Sequence, residues 1–142
     1  MSAPNAPQPL RHVWLAIGWI GVALSVYFSL KPHPPELDIQ NGDKVQHLVG
    51  YALLMLWWVQ LADTLPQRVR TAVALAALGI GLEIAQGFTG YREASGLDAI
   101  ANTAGVLIGW VLAAPRRPNF RMLAARVIAG SGGSSPRSGR SD

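Results

Sequence analysis

The chain has 142 residues, 50% of them hydrophobic and 14% charged, with a formal net charge of +4. That length accommodates one compact domain and excludes two. The absence of cysteine excludes disulfides, haem-thiolate chemistry and cysteine-ligated zinc. Most arginines follow the last apolar run, where anionic lipid headgroups account for them and nucleic acid is not expected as a partner.

In chain order, a polar N-terminal segment (1–11) precedes four apolar runs at 12–30, 45–62, 69–88 and 97–114. Each is about the length that crosses a ~30 Å hydrocarbon slab as a helix. The first run contains no Asp, Glu, Lys or Arg, the third only Glu83 beyond Arg70 at its very start, and the fourth only Asp98, whereas a soluble amphipathic helix carries a whole charged face. No period-2 alternation suggests a barrel. The fold class expected is therefore all-α, a four-helix transmembrane up-down bundle in one membrane domain (12–114).

The first run follows Arg11 and His12 in the manner of a signal peptide. It ends, however, in Tyr27, Phe28, Ser29, Leu30 and Lys31 without a small-x-small cleavage pattern, so it is expected to be retained. Pro32, Pro34 and Pro35 stiffen the start of the first loop. Small residues four apart mark close helix contacts in lipid. Ala101, Gly105 and Gly109 on the fourth run, and Ala77, Gly81 and Ala85 on the third, are expected to face each other. The residues after the last run (115–142) read as a basic juxtamembrane segment and a disordered Gly/Ser/Arg tail. Within it Phe120, Leu123, Val127 and Ile128, flanked by Arg121 and Arg126, suit a short helix lying in the interface.

Orientation follows from positive charge near the run ends. One side holds Arg11, Arg68, Arg70, Arg116, Arg117, Arg121 and Arg126, the other Lys31, Lys44 and Arg92. This excess predicts a multi-pass inner-membrane protein with both termini in the cytoplasm. The first and third loops then face outward.

That threading brings polar residues of three helices to similar depth at the outer face. Asp43, His47 and Tyr51 recur at i, i+4 and i+8 beside Lys44; Glu83 pairs with Gln86 on one face, and Asp98 with Asn102. Glu83 lies roughly 6–10 Å inside its run at 1.5 Å per residue. There it must pair with His47 or Arg92, take up a proton or face water, and intramembrane acids of this kind are functional candidates. Each of the others also has a plain structural use. Asp43 with Gln46 fits an Asp-x-x-Gln capping box, the use favoured for Asp43, and Ser95 with Asp98 fits Ser-x-x-Asp. His47, Tyr51 and Asn102 can serve as interhelical or interfacial packing, and Arg92 as a headgroup anchor.

The stretches DKVQHLVGYALLMLWW and GLEIAQGFTGYREASGLDAIANTAGVLIG carry a resemblance. The pattern is Asp-Lys-x-x-His-x-x-x-Tyr, then Glu-x-x-Gln, then Arg followed by Asp-x-x-x-Asn-x-x-Gly. Through Asp43, Lys44, His47, Tyr51, Glu83, Gln86, Arg92, Asp98, Asn102 and Gly105 it resembles the VanZ-like family of small bacterial integral membrane proteins. The family is named for a component of glycopeptide-resistance clusters associated with reduced susceptibility to teicoplanin. The resemblance implies an envelope membrane protein; it supplies neither a reaction nor a resistance phenotype for this chain.

Two functions compete. In the first, an outward-facing site acts on an anionic envelope lipid or lipid-linked precursor. His47, Glu83 and Asp98 are its catalytic candidates, and Lys44, Tyr51, Gln86, Arg92 and Asn102 bind the substrate. Asp43, Ser95, Gly105 and Gly109 are structural. No Ser or Cys nucleophile accompanies His47, so water or a substrate hydroxyl would attack. A metal on His47, Glu83 and Asp98 could assist, although nothing in their spacing demands one. In the second, the same residues pack the helices of a non-catalytic scaffold or clamp a partner. Cofactors and oligomeric state are not specified by the sequence, and ion transport ranks last because the cytoplasmic halves are almost free of polar residues.

Overall fold

A computed structural model describes residues 8–34, 39–91 and 94–113. Among the described residues there are four α-helices and no strands. They are α1 (Gln8–Leu30), α2 (Gly42–Trp58), α3 (Leu65–Gly87) and α4 (Gly96–Leu112), with a 3-10 turn, Val59–Leu61, extending α2. The juxtamembrane helix expected around Phe120–Ile128 and the tail lie outside the described residues.

The helix ends follow from local chemistry. Asn41 takes the left-handed conformation (φ 57°) that its short polar side chain tolerates, and α2 starts immediately after it. α3 begins with a reciprocal capping box: Thr64 Oγ1 accepts from Gln67 N, and Gln67 Oε1 accepts from Thr64 N. Pro66 fits the first turn, where helix N–H groups have no intrahelical partner. Beyond α3, Gly90 at φ 73° turns the chain back.

Consecutive helices alternate in direction. Gly21 of α1 meets Leu54 of α2, and Gly18 meets Trp58, so these two run antiparallel. Gly79 of α3 meets Asn102 of α4, and Gly87 meets Ala94 just before α4, so these also run in opposite order. The widest interface joins α2 and α4, the next α3 and α4, and α1 lies mainly against α2 and α3. α2 and α4 are parallel: Lys44 meets Asp98, His47 meets Asn102, and Ala52 and Met55 meet Gly109.

This arrangement corrects the expected seam. The Gly105–Gly109 ridge faces α2, with Gly105 against the Leu48 carbonyl and Gly109 against that of Ala52. Gly81 has open space beside it and Ala77 is exposed, so the small residues of α3 do not form the contact. α3 reaches α4 through Gly79, two positions from both Ala77 and Gly81 and so on the other side of the helix. The helix with two close-packing glycines sits next to the partner whose backbone comes nearest.

Tyr51, Leu54, Met55, Val59, Leu75 and Val106 form the apolar core. Outside it, α1 exposes Val13, Ile17, Trp19, Ile20 and Leu24, and α3 exposes Val69, Val73, Ile80 and Ile84. Arg11–Leu30 and Leu65–Gly87 are long and apolar enough to cross a membrane, and only 6% and 28% of their most apolar windows are buried.

Candidate functional site

The site forms at the end of the bundle where α2 and α4 begin and α3 stops. Each of the three helices contributes one ligand-type side chain, and one atom each from His47, Glu83 and Asp98 lies within 4.8 Å of the others. Glu83 and Asp98 are 4% and 6% exposed, and His47 is half-buried.

Each side chain is placed by its helix neighbours. On α4, Ser95 is the N-cap and its hydroxyl accepts from Asp98 N at 3.3 Å, half of the expected capping box. The returning bond comes from another helix: Ser95 N donates to Glu83 Oε2 at 3.3 Å. Glu83 of α3 thus takes the place that Asp98 would fill. The Asp98 carboxylate reaches Lys44 instead, with Oδ1 3.2 Å from Nζ. One turn later Asn102 Oδ1 accepts from His47 Nδ1 at 3.1 Å, so in the neutral ring the proton sits on Nδ1 and Nε2 keeps its lone pair. Gly79 allows this approach, since a Cβ there would stand 2.9 Å from Asn102 Cβ.

Asp43 does not cap α2, contrary to the expected Asp-x-x-Gln box. The helix starts at Gly42 with Asn41 as N-cap, and Asp43 lies in the first turn, where Oδ2 accepts from Lys44 Nζ at 2.8 Å. That hydrogen bond to Lys44 holds the Asp43 carboxyl below its ordinary value of 3.8. The same bond, with the pull of Asp98 added, holds the Lys44 ammonium above its ordinary 10.5. Lys44 is therefore an internal counter-ion shared by two carboxylates.

Glu83 and Gln86 diverge. Glu83 serves α4, whereas Gln86 Nε2 donates to the Ser29 carbonyl of α1 at 2.6 Å. Ser29 and Leu30 end α1, where carbonyls have no intrahelical donor. The Tyr91 hydroxyl donates to the Leu30 carbonyl at 2.7 Å. Gln86 thus binds α1 in place. Ser29 and Tyr91 escaped the sequence reading because the bond runs to a helix-terminal carbonyl, which every helix has. Arg92 lies outside the described residues.

Tyr51 is buried, and its hydroxyl makes no hydrogen bond among the described residues. With His47 and Asp43 it lines a cleft of about 520 Å³ between α1 and α2. Ser25 and Ser29 face these polar groups, while Leu54 and Trp57 line the apolar part. Gly18, Gly21 and Gly50 keep the walls low, a pattern with no distinctive signal in a glycine-rich chain. Beyond Trp57 the helices close: its ring stacks on Trp14 at 4.1 Å and its Nε1 donates to the Trp14 carbonyl.

The arrangement can hold or move a proton between an imidazole and buried carboxylates, present a cation-binding donor set, and admit a chain-like apolar ligand beside it. No family model, no characterised protein and no solved structure matches the chain.

Proposed function

We propose that the chain is a VanZ-like, four-span protein of the bacterial inner membrane, with both termini cytoplasmic, whose outward-facing site receives the head of an anionic envelope lipid or lipid-linked precursor. The observation that carries this reading is the convergence of His47, Glu83 and Asp98 from three helices, two of them buried acids. Burying such groups is costly, and a bundle stabilised only by packing has no need of them.

The membrane setting is supported by the exposed apolar faces. A core helix of a soluble protein is mostly buried, whereas the α1 window is only 6% buried. In water so large an apolar surface would drive association. α1 is also bonded into the bundle through Trp14, Ser29 and Leu30, unlike a leader that is removed.

The cleft supports a lipid in particular. From Asp43 to Trp57 it follows α2 for about 21 Å at 1.5 Å per residue, the scale of one acyl chain. Its polar groups lie toward His47 and its apolar ones toward Trp57, so a chain lying in it would place a polar head beside the cluster. In this scheme water or a substrate hydroxyl is the attacking group, and the His47, Glu83 and Asp98 cluster takes up its proton.

Mass spectrometry of envelope lipids and precursors, from cells lacking and cells overproducing the protein, tests this reading. A headgroup change that follows protein level and vanishes with Glu83→Gln supports it. Unchanged lipids at every expression level reject it. A second reading, a scaffold with an internally bonded polar network, is favoured by Lys44 being shared between Asp43 and Asp98; it predicts that Glu83→Gln preserves whatever phenotype the protein confers.

A further inference from the structure

We propose that His47, Glu83 and Asp98 together hold one divalent transition-metal ion of the zinc or manganese class. This deepens the lipid-head reading and rests on it only for the ion's role there. Three features carry it: the donor set, its geometry and its orientation.

One imidazole nitrogen and two carboxylates suit zinc or manganese, since imidazole disfavours magnesium and calcium, and the absence of thiolate fits a site that leaves positions open for water or substrate. Ligands about 2.1 Å from a tetrahedral ion stand roughly 3.4 Å apart. The three ligand atoms lie within 4.8 Å of one another, close to that spacing before any ion draws them in.

Orientation is the independent observation. Metal-ligating histidines almost always donate their other ring N–H to a fixed acceptor. His47 Nδ1 donates to Asn102 Oδ1, and Asn102 is 1% exposed and held against Gly79. The bond leaves Nε2 as the ligating nitrogen. Asp98 is the looser partner of Lys44, at 3.2 Å against 2.8 Å for Asp43, so an ion can take over Asp98 while Lys44 stays paired. An ion here would also explain how an acidic cluster accepts a phosphate-bearing head, because the metal bridges the two anionic partners.

The test uses the full chain in nanodiscs, purified without a polyhistidine tag, stripped with chelator and titrated with Zn2+ or Mn2+. One equivalent is expected to bind. His47→Gln, Glu83→Gln and Asp98→Asn should each weaken it at least tenfold, and Asn102→Ala should weaken it by about 10–100-fold as an orienting residue. Gly81→Ala, on the open side of α3, should leave it unchanged. Cobalt titration of the wild-type protein needs no variant to fold, and should give saturable visible absorption at one equivalent. No stoichiometric metal, or binding that the four site variants do not alter, overturns the proposal. Metal binding without any lipid-head change retains the ion and rejects the lipid reading; a lipid-head change that persists in chelator with metal-free protein does the reverse.

Discussion

Glu83 shows how one side chain can support a helix end and still face a cluster of ligand-type groups. Its Oε2 accepts from Ser95 N and so helps to begin α4, while the carboxylate faces His47 and Asp98. Glu83→Gln keeps that acceptor and should leave the thermal unfolding midpoint nearly unchanged, whereas Glu83→Ala should cost about 1 kcal/mol by leaving the half-buried Ser95 N–H without its bond. A large loss of stability in the Gln variant would assign Glu83 a packing role. Gln86→Ala should destabilise by about 1–2 kcal/mol through the freed Ser29 carbonyl, and should raise the exchange of the last α1 amides more than those of α4. The Asp43–Lys44 pair sets a pH window. Asp43's lowered value makes its contribution present above 3.8 and lost as pH falls further, and Lys44's raised value keeps its contribution present up to 10.5 and lost above it. Unfolding midpoints of the Lys44→Met variant and wild type should therefore differ by a constant amount between those limits and converge outside them. Both groups are near the surface, so the difference is small.

Among the elements, the α2–α4 contact holds the site together, and its glycines can be ranked by what surrounds them. Gly105→Ala drives a methyl group into the Leu48 carbonyl, and should cost about 1–3 kcal/mol while separating His47 from Asn102. Gly81→Ala meets open space and should stabilise α3 by about 0.5–1 kcal/mol. Equal effects of the two substitutions in chemical unfolding would mean that α4 packs elsewhere. The sequence made the four helices legible, because their apolar runs are long and separated by Pro, Gly and charged residues. It also made the i, i+4 stripes on α2 and α4 legible. It did not reveal which small-residue ridge meets which helix, since Ala77, Gly81 and Ala85 have the same spacing as Ala101, Gly105 and Gly109. Only three-dimensional packing shows that α2 presents its backbone to α4. The Lys44–Asp98 pair was hidden for the same reason: it depends on the register of two parallel helices that are not adjacent in the chain.

For the whole molecule, antiparallel threading gathers residues more than fifty positions apart at one end of the bundle. The chain has no cysteine, so single substitutions can report its sidedness cleanly. Asn41→Cys and Gly90→Cys, in the first and third loops, should react with an impermeant maleimide on intact spheroplasts, and Asp63→Cys only after permeabilisation; the opposite pattern would invert the proposed orientation. Gly50→Ala should narrow the α1–α2 cleft, because nothing lies within 4 Å of a Cβ there, and should reduce lipid co-purification. The most direct test is a double-mutant cycle between His47→Ala and Glu83→Gln, reading unfolding free energy in one detergent. Residues of a shared site should couple by at least about 0.5 kcal/mol. Additivity within about 0.3 kcal/mol would mean that the imidazole and the acid do not share a site.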